Sequence, residues 1–146
     1  EEQLIREKVD PSLLEMEITE TVLIDNPHQA IKIIERIKAL GVQMALDDFG
    51  TGYLAISYIT HIPVDRIKLD GAMTQGLAEN LQVMTGLITM AHGLNMDVVA
   101  EGVETVDQAR LLAQVNCDYL QGYLFSKPIP AEEAVALLSV TDTLNN

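Results

Sequence analysis

Apolar positions along the chain switch repeatedly between a spacing of two and a spacing of three or four, which predicts strands alternating with amphipathic helices. A first strand is predicted over residues 14–19, and Asp25-Asn26-Pro27 then opens a helix with the stripe Ile31, Ile34, Ile37 and Leu40, closed by Gly41. A second strand covers 42–49, followed by the loop Gly50-Thr51-Gly52 and a short helix over 53–59. Pro63 precedes a third strand over 66–70. A longer helix over 79–92 carries Leu81, Met84, Leu87, Ile88 and Ala91 and ends at Gly93. The fourth strand is predicted over 97–103, and Thr105 with Gln108 forms a capping box for a helix bearing Leu111, Leu112 and Val115. A fifth strand over 119–125 and a last helix over 131–140 complete the pattern.

Strands separated by helices call for a parallel sheet with right-handed crossovers, either an open doubly wound sheet or a (β/α) barrel. The strands of an open sheet covered on both faces read as continuous apolar runs, whereas each strand here carries polar residues among apolar ones. Glu17 lies between Met16 and Ile18, Asp47 follows Leu46, Lys68 lies between Ile67 and Leu69, Glu101 follows Ala100, and Gln121 follows Leu120. Alternation sets these polar side chains opposite the apolar ones, so the expected fold is a (β/α)8 TIM-type barrel with polar groups inside, near the C-terminal strand ends where barrel enzymes keep their chemistry. A complete barrel has eight strands and typically about 250 residues, so this chain is expected to supply the last five β/α units. Its start at Glu1-Glu2-Gln3, without Met, fits a piece of a longer chain, and residues 1–146 are read as the C-terminal portion of one domain.

Charge sharpens the picture. Nine Lys and Arg stand against 22 Asp and Glu, a formal net charge of -13. That balance argues against DNA or RNA as partner, and an anionic substrate would need cations held by clustered carboxylates. The lone Cys117 allows no internal disulfide, which fits a reducing compartment, and no apolar run approaches the roughly 20 residues of a membrane helix.

The candidate chemistry lies in Glu17 and Glu20, Asp47 and Asp48, Lys68, Glu101 and Glu104, and Gln121, spread over successive strand ends. Carboxylate oxygens suit a hard divalent cation, and adjacent Asp47-Asp48 can serve two metals because successive side chains diverge at a strand end. Two cations roughly 3.5 to 4 Å apart polarise a phosphodiester and acidify a bridging water, which Lys68 would hold or orient, unless it meets the developing phosphorane charge. Each piece also has a plain structural use: Asp-Asp as a turn or cap, Glu17 on a solvated face, Lys68 paired with Asp70. Recurrence at the same place in successive units favours the chemical use. His28, His61 and His92 lack ligand spacing and read as structural, and the six Met residues read as core. Among the aromatics, Tyr53 and Phe125 are better placed than Phe49 and Tyr123 to stack on a base. Gly50-Thr51-Gly52 lacks the Lys-Ser/Thr of a P-loop, and Asp48-Phe49-Gly50 stands without the catalytic loop of a kinase.

The ordered segments Glu17-Ile18-Thr19-Glu20, Asp47-Asp48-Phe49-Gly50-Thr51-Gly52-Tyr53, Lys68-Leu69-Asp70, Glu101-Gly102-Val103-Glu104-Thr105 and the run from Gln121 to Pro128 resemble the EAL domain in order and spacing, over almost the whole chain. The resemblance implies a cyclic di-GMP phosphodiesterase in which Glu17, Asp47, Asp48 and Glu101 ligate two Mg2+ or Mn2+ ions. It implies catalytic roles for Glu101, Lys68 and Gln121, the first binding or activating the attacking water and the last orienting it. It assigns Glu20 to anchoring the loop that contains Gly50, Thr51, Gly52 and Tyr53, and Glu104 either to substrate contact or to support. Cyclic di-GMP as ligand, a homodimer, attached sensory or GGDEF domains, and the bacterial cytoplasm follow from the same resemblance.

Departures from the family pattern are Leu54 in place of Ser and Gly71-Ala72-Met73 in place of a charged residue, Ser and Phe. The family's Glu-Ala-Leu signature and a metal-binding Asn would lie before residue 1. A degenerate module that binds cyclic di-GMP or a partner protein without turnover is the alternative function, and a barrel acting on another phosphate ester is a third. The expected outcome for the isolated chain is weak or no hydrolysis of cyclic di-GMP. Robust metal-dependent turnover by the purified chain alone, read by chromatography of the products, would overturn that expectation.

Overall fold

The computed structural model describes residues 2–50 and 56–141, with the side chains of 3, 5, 56–57 and 137–141 left aside. Helix α1 (Glu2–Glu7) and a 3-10 turn (Pro11–Leu13) lead into β1 (Glu15–Thr19), α2 (Glu20–Asp25) and α3 (Pro27–Lys38). Then come β2 (Gln43–Phe49), α4 (Ile56–Ile59), β3 (Arg66–Leu69), α5 (Gly71–Gln75) and α6 (Leu77–Gly93). The chain finishes with β4 (Asp97–Ala100), α7 (Val106–Gln114), β5 (Tyr119–Leu120) and α8 (Ala131–Thr141). The sheet order is β1-β2-β3-β4-β5 and every neighbouring pair is parallel. Helical connections of this kind are what parallel pairing demands.

Cross-strand register assigns the two faces. Met16, Ile18, Met44, Leu46, Ile67, Leu69, Val98, Ala100 and Leu120 share one side, and Glu15, Glu17, Gln43, Ala45, Asp47, Arg66, Lys68, Asp97, Val99 and Tyr119 share the other. Leu46, Ile67 and Val98 pack with Ile34 of α3, Met84 and Ile88 of α6 and Leu112 of α7 in one apolar core. Each such side chain, taken fully out of water, stabilises the fold by about 1.5–3 kcal/mol. The side with the charged residues is therefore the one turned away from the helices.

Several boundaries differ from the expected ones for identifiable reasons. Strand β5 has two residues rather than seven, because Gly122 turns the chain beneath Val103 so closely that a Cβ there would lie 2.1 Å from the Val103 carbonyl oxygen. Strand β4 ends at Ala100, since Gly102 adopts φ +65° and lies against Gly71, with room for no side chain between them. Asp70 is the N-cap of α5, a helix the apolar pattern does not announce, and its carboxylate accepts from the Ala72 N–H at 2.8 Å. Helices α1 and α2 are likewise too short to show a full period. Helix α6 begins two residues early and is broken at Asn80, whose φ and ψ are -113° and 16°. The capping box of α7 is present as expected, with Gln108 N–H on Thr105 Oγ1 at 3.2 Å and the Gln108 side chain on the Thr105 N–H at 2.9 Å. Of the predicted helix over 53–59, residues 56–59 are helical and 53–55 lie outside the described residues.

Met16 departs from the core expectation: it is 49% exposed on outer strand β1, beside a groove of about 410 Å³ lined by Leu4, Val9, Leu14, Ile37 and Leu40. Phe49 is 6% exposed within the core, so it is not available for stacking, whereas Tyr123 and Phe125 are exposed. His92 is structural, as expected: its Nε2 lies 2.8 Å from Asp118 Oδ2, the same oxygen that accepts the Val98 N–H at 2.8 Å. Burial alone would raise the Asp118 pKa, but the bonds from His92 and the Val98 N–H outweigh it and hold the carboxyl below its usual 3.8.

A carboxyl whose pKa falls on folding contributes stability above its unfolded value and loses it as pH drops through the folded value. Asp118→Asn is thus expected to lower the melting temperature at every pH above about 4. Its deficit against the parent chain should shrink as pH falls below the usual 3.8. Melting curves over pH 2.5–7 check this, and a deficit independent of pH would refute the assignment.

Candidate metal centre

Four strands bring the charged candidates to one place. Lys68, on the charged side of β3 and 6% exposed, reaches Glu17 Oε1 of β1 at 2.7 Å, Asp47 Oδ1 of β2 at 3.1 Å and Glu101 Oε1 just past β4 at 2.8 Å. Lys68 therefore does not pair with Asp70, which is engaged in capping α5. Burial pulls the ammonium pKa down, yet hydrogen bonds to Glu101 and Glu17 and the neighbouring Asp47 carboxylate outweigh that and leave it raised above the ordinary lysine value. Lys68 is thus a fixed positive charge at neutral pH.

Asp48 joins the group through a local distortion. Strict alternation would turn Asp48 away from Asp47, but Asp48 sits in the left-handed region at φ 56°, and the β2–β3 register shifts between Leu46 and Phe49. As a result Asp47, Asp48 and Glu101 each offer an oxygen, and the three atoms lie within 4.8 Å of one another. Glu101 is placed by its backbone N–H, bonded to the Leu69 carbonyl at 3.1 Å, before Gly102 turns the chain. Like charges about 5 Å apart repel by roughly 3 kcal/mol at an effective dielectric near 20, so such a group is favourable only with cations nearby.

The donor set fits a hard divalent cation. All three donors are carboxylate oxygens, and opposite ligands of Mg2+ at 2.0–2.1 Å stand about 4 Å apart, close to the observed grouping. Asp47 Oδ1 is buried and has no hydrogen-bond partner, its approach to Lys68 being an ion pair out of hydrogen-bonding alignment. A buried carboxylate oxygen without a hydrogen-bond donor suits coordination to a cation. Glu17 belongs to the same cluster by way of Lys68 rather than by way of the trio.

The remaining candidates take varied positions. Glu20 is 4% exposed at the first turn of α2, and Gly50 adopts φ +100°, a conformation that favours glycine, beside the Met73 side chain. Thr51, Gly52 and Tyr53 lie outside the described residues. Gln121 is exposed just beyond β5, its N–H on the Ala100 carbonyl at 2.9 Å and its carbonyl accepting from the Val103 N–H at 3.0 Å. Glu104 lies just before α7, its N–H on the Gln108 side chain at 2.9 Å and its carboxylate 3.5 Å from Gln75 Nε2.

One group escaped the sequence reading. One pleat below Lys68, Arg66 pairs with Glu15 at 2.6 Å and Asp97 at 3.4 Å and lies over the Tyr119 ring, 4.4 Å from its centroid. The signal was available, since Glu15, Arg66 and Tyr119 each stand two residues before Glu17, Lys68 and Gln121.

A parallel β/α sheet with carboxylates gathered at its C-terminal strand ends defines the class: an α/β-barrel domain with an acidic mouth. The chain belongs to the EAL domain family, whose model matches residues 1–128. It is 41% identical over 120 residues to the cyclic di-GMP phosphodiesterase NbdA of Pseudomonas aeruginosa, covering 80% of this chain and 15% of that one. The solved cyclic di-GMP complex of the MucR phosphodiesterase, also of Pseudomonas aeruginosa, superposes with a TM-score of 0.86 at 34% identity, over 91% of this chain and 55% of that one. A manganese and cyclic di-GMP complex of Klebsiella pneumoniae BlrP1 superposes with a TM-score of 0.80 at 31% identity, over 87% of this chain and 33% of that one. The chain spans about a fifth of the length of the curated relatives it matches, 15% of NbdA and 20% of MucR. Its five β/α units are accordingly part of a TIM-type barrel. No helix among the described residues is long and apolar enough to cross a membrane.

Replacing Lys68 by Met removes the charge that the surrounding carboxylates share. The metal-free chain is expected to lose about 3 kcal/mol, the low end for breaking a buried pair because Glu17 is half exposed. Mn2+ should then raise its melting temperature by more than it raises that of the parent chain. Melts with and without Mn2+ check both, and an unchanged metal-free melt would show that Lys68 does not hold the cluster.

Proposed function

We propose that this chain is the metal-bearing part of a phosphodiesterase domain that hydrolyses one phosphodiester bond of cyclic di-GMP, giving linear pGpG. The observation that carries the reading is the convergence of Asp47, Asp48 and Glu101 oxygens within 4.8 Å, beside a buried, permanently charged Lys68. Glu17, Asp47, Asp48 and Glu101 would hold two Mg2+ or Mn2+ ions. Bound there, such ions polarise phosphoryl oxygens and make water acidic enough to attack near neutral pH.

The chain's own residues account for the rest. Because Lys68 keeps its proton, its part is to orient the attacking water or to meet negative charge growing on the phosphoryl oxygens, rather than to act as base. Glu101 would bind or activate the attacking water, directly or through the metals, and Gln121, at the next strand end, would orient it through its amide. Glu20 would anchor the loop of Gly50, Thr51, Gly52 and Tyr53, with Glu104 supporting the rim. A chain with net charge -13 reaches an anionic dinucleotide only through such cations, which agrees with the carboxylate-rich mouth. The cyclic di-GMP complexes of MucR and BlrP1 support the choice of substrate. A homodimer, a bacterial cytoplasmic location and attached sensory or GGDEF domains belong to the same proposal. The last is supported by MucR, a bifunctional diguanylate cyclase and phosphodiesterase.

In a polypeptide carrying the whole domain, Glu101→Gln is expected to cut Mn2+-dependent formation of pGpG by about 10²–10⁴-fold, the usual contribution of a positioned base. Asp47→Asn should do so together with loss of Mn2+ binding. Turnover within a few-fold of the parent in both variants, measured by chromatography across a panel of cyclic dinucleotides, would sink the assignment.

A further inference from the structure

Two layers of charge stack on the side of the sheet away from the helices, and the proposed mechanism uses only the upper one. The lower layer centres on Arg66, whose Nη1 lies 2.6 Å from Glu15 Oε2 and whose Nη2 lies 3.4 Å from Asp97 Oδ2. Its guanidinium carbon stands 4.4 Å from the centre of the Tyr119 ring, and the Arg66 side chain is 20% exposed. Arg66 thus grips β1 and β4 by ion pairs and β5 by stacking, from its own place on β3. Those strands carry Glu17 in the middle of β1, Lys68 next to the last residue of β3, and Glu101 and Gln121 just beyond β4 and β5. Pairings by backbone alone are short here, with four residues in β3, four in β4 and two in β5. The planar fork of arginine, with its rigid donors and flat stacking face, suits a tie between three partners in a way a lysine does not.

We propose that Arg66 is a positioning residue for the metal centre: by fixing the relative heights of β1, β3, β4 and β5 one pleat below, it sets the spacing of the carboxylates around Lys68. The inference rests on the reading of Asp47, Asp48 and Glu101 as a metal site, but half of its test needs no metal. The decisive variant is Arg66→Lys, which keeps the charge and loses the fork. A purely electrostatic role predicts unchanged Mn2+ affinity in that variant, whereas a positioning role predicts affinity weakened by about tenfold, as for other groups that orient ligands from outside the coordination shell.

The experiment titrates the full chain with Mn2+, followed by electron paramagnetic resonance of the free ion, for the parent chain and Arg66→Lys. In parallel, metal-free melts form a cycle of Arg66→Lys, Lys68→Gln and the double variant. Positioning is supported if the double variant's loss of melting temperature is clearly smaller than the two single losses together, because Lys68 then binds carboxylates already displaced. Additive losses, or unchanged Mn2+ affinity in Arg66→Lys, overturn it. Should the parent chain bind no Mn2+, the metal-site reading falls, and the cycle alone still decides whether Arg66 positions the cluster. If Arg66→Lys does not fold, Asp97→Asn, which removes only the longer ion pair, replaces it in both arms with the same criteria.

Discussion

Everything at the mouth of the sheet turns on one ammonium group and the three carboxylates around it. Lys68 is drawn almost wholly out of water, which is expensive for a lone charge, and the cost is offset only because β1, β2 and β4 each deliver a carboxylate oxygen within 3.1 Å. The same contacts tie β1, β2 and the end of β4 to β3 through side chains, in addition to the ladder bonds. The consequence for chemistry is that, among the described residues, Lys68 is the cation that meets Glu17, Asp47 and Glu101, with Asp48 close beside them. That surplus of negative charge in a partly buried place explains both the strain and the usefulness of the site.

A device recurs in the two strand pairs that flank the centre. Asp65, just before β3, accepts the Met44 N–H of β2 at 2.9 Å and pairs with Lys38 from the end of α3. Asp118, just before β5, accepts the Val98 N–H of β4 at 2.8 Å and pairs with His92 from the end of α6. The first strand of each pair, β2 or β4, follows a left-handed residue, Gly41 or Asn95, and has another near its C-terminal end, Asp48 or Gly102. Asp47 and Glu101 occupy matching places in the two pairs, immediately before the second of these left-handed residues. The repetition gives a structural reason why both point into the mouth: the Asp clamp sets the depth of each strand, and the left-handed residue after Asp47 or Glu101 breaks the alternation there.

The strand-helix alternation was readable because the helices carry full apolar stripes and the strands alternate. Ile34, Met84, Ile88 and Leu112 lie where their spacing says. The candidate ligands were readable for the same reason, since recurrence at strand ends is a pattern in sequence. What escaped is set by contacts between distant residues. The stop of β5 depends on how closely Gly122 approaches Val103, which leaves no trace in local spacing. The convergence of Asp48 with Asp47 depends on a register shift against β3, and alternation alone would separate them. Met16 looked like core because apolar residues on a strand usually are, yet it lies on the outermost strand of the sheet. Arg66 was overlooked because a lone arginine within a strand invites no chemistry until Glu15, Asp97 and Tyr119 are seen around it.

The two charged layers also explain why cations would settle at one height. Below, one guanidinium faces two carboxylates, Glu15 and Asp97, with a tyrosine ring taking its flat side, so each carboxylate has a paired donor and the excess of negative charge is small. Above, Glu17, Asp47, Asp48 and Glu101 exceed Lys68 by a wide margin, and Asp47 Oδ1 lacks a hydrogen-bond donor. A divalent cation attracted by the acidic chain as a whole gains most where carboxylate oxygens are both numerous and incompletely satisfied. Only the upper layer meets both conditions, and it is also the layer nearest the strand ends where a substrate can enter.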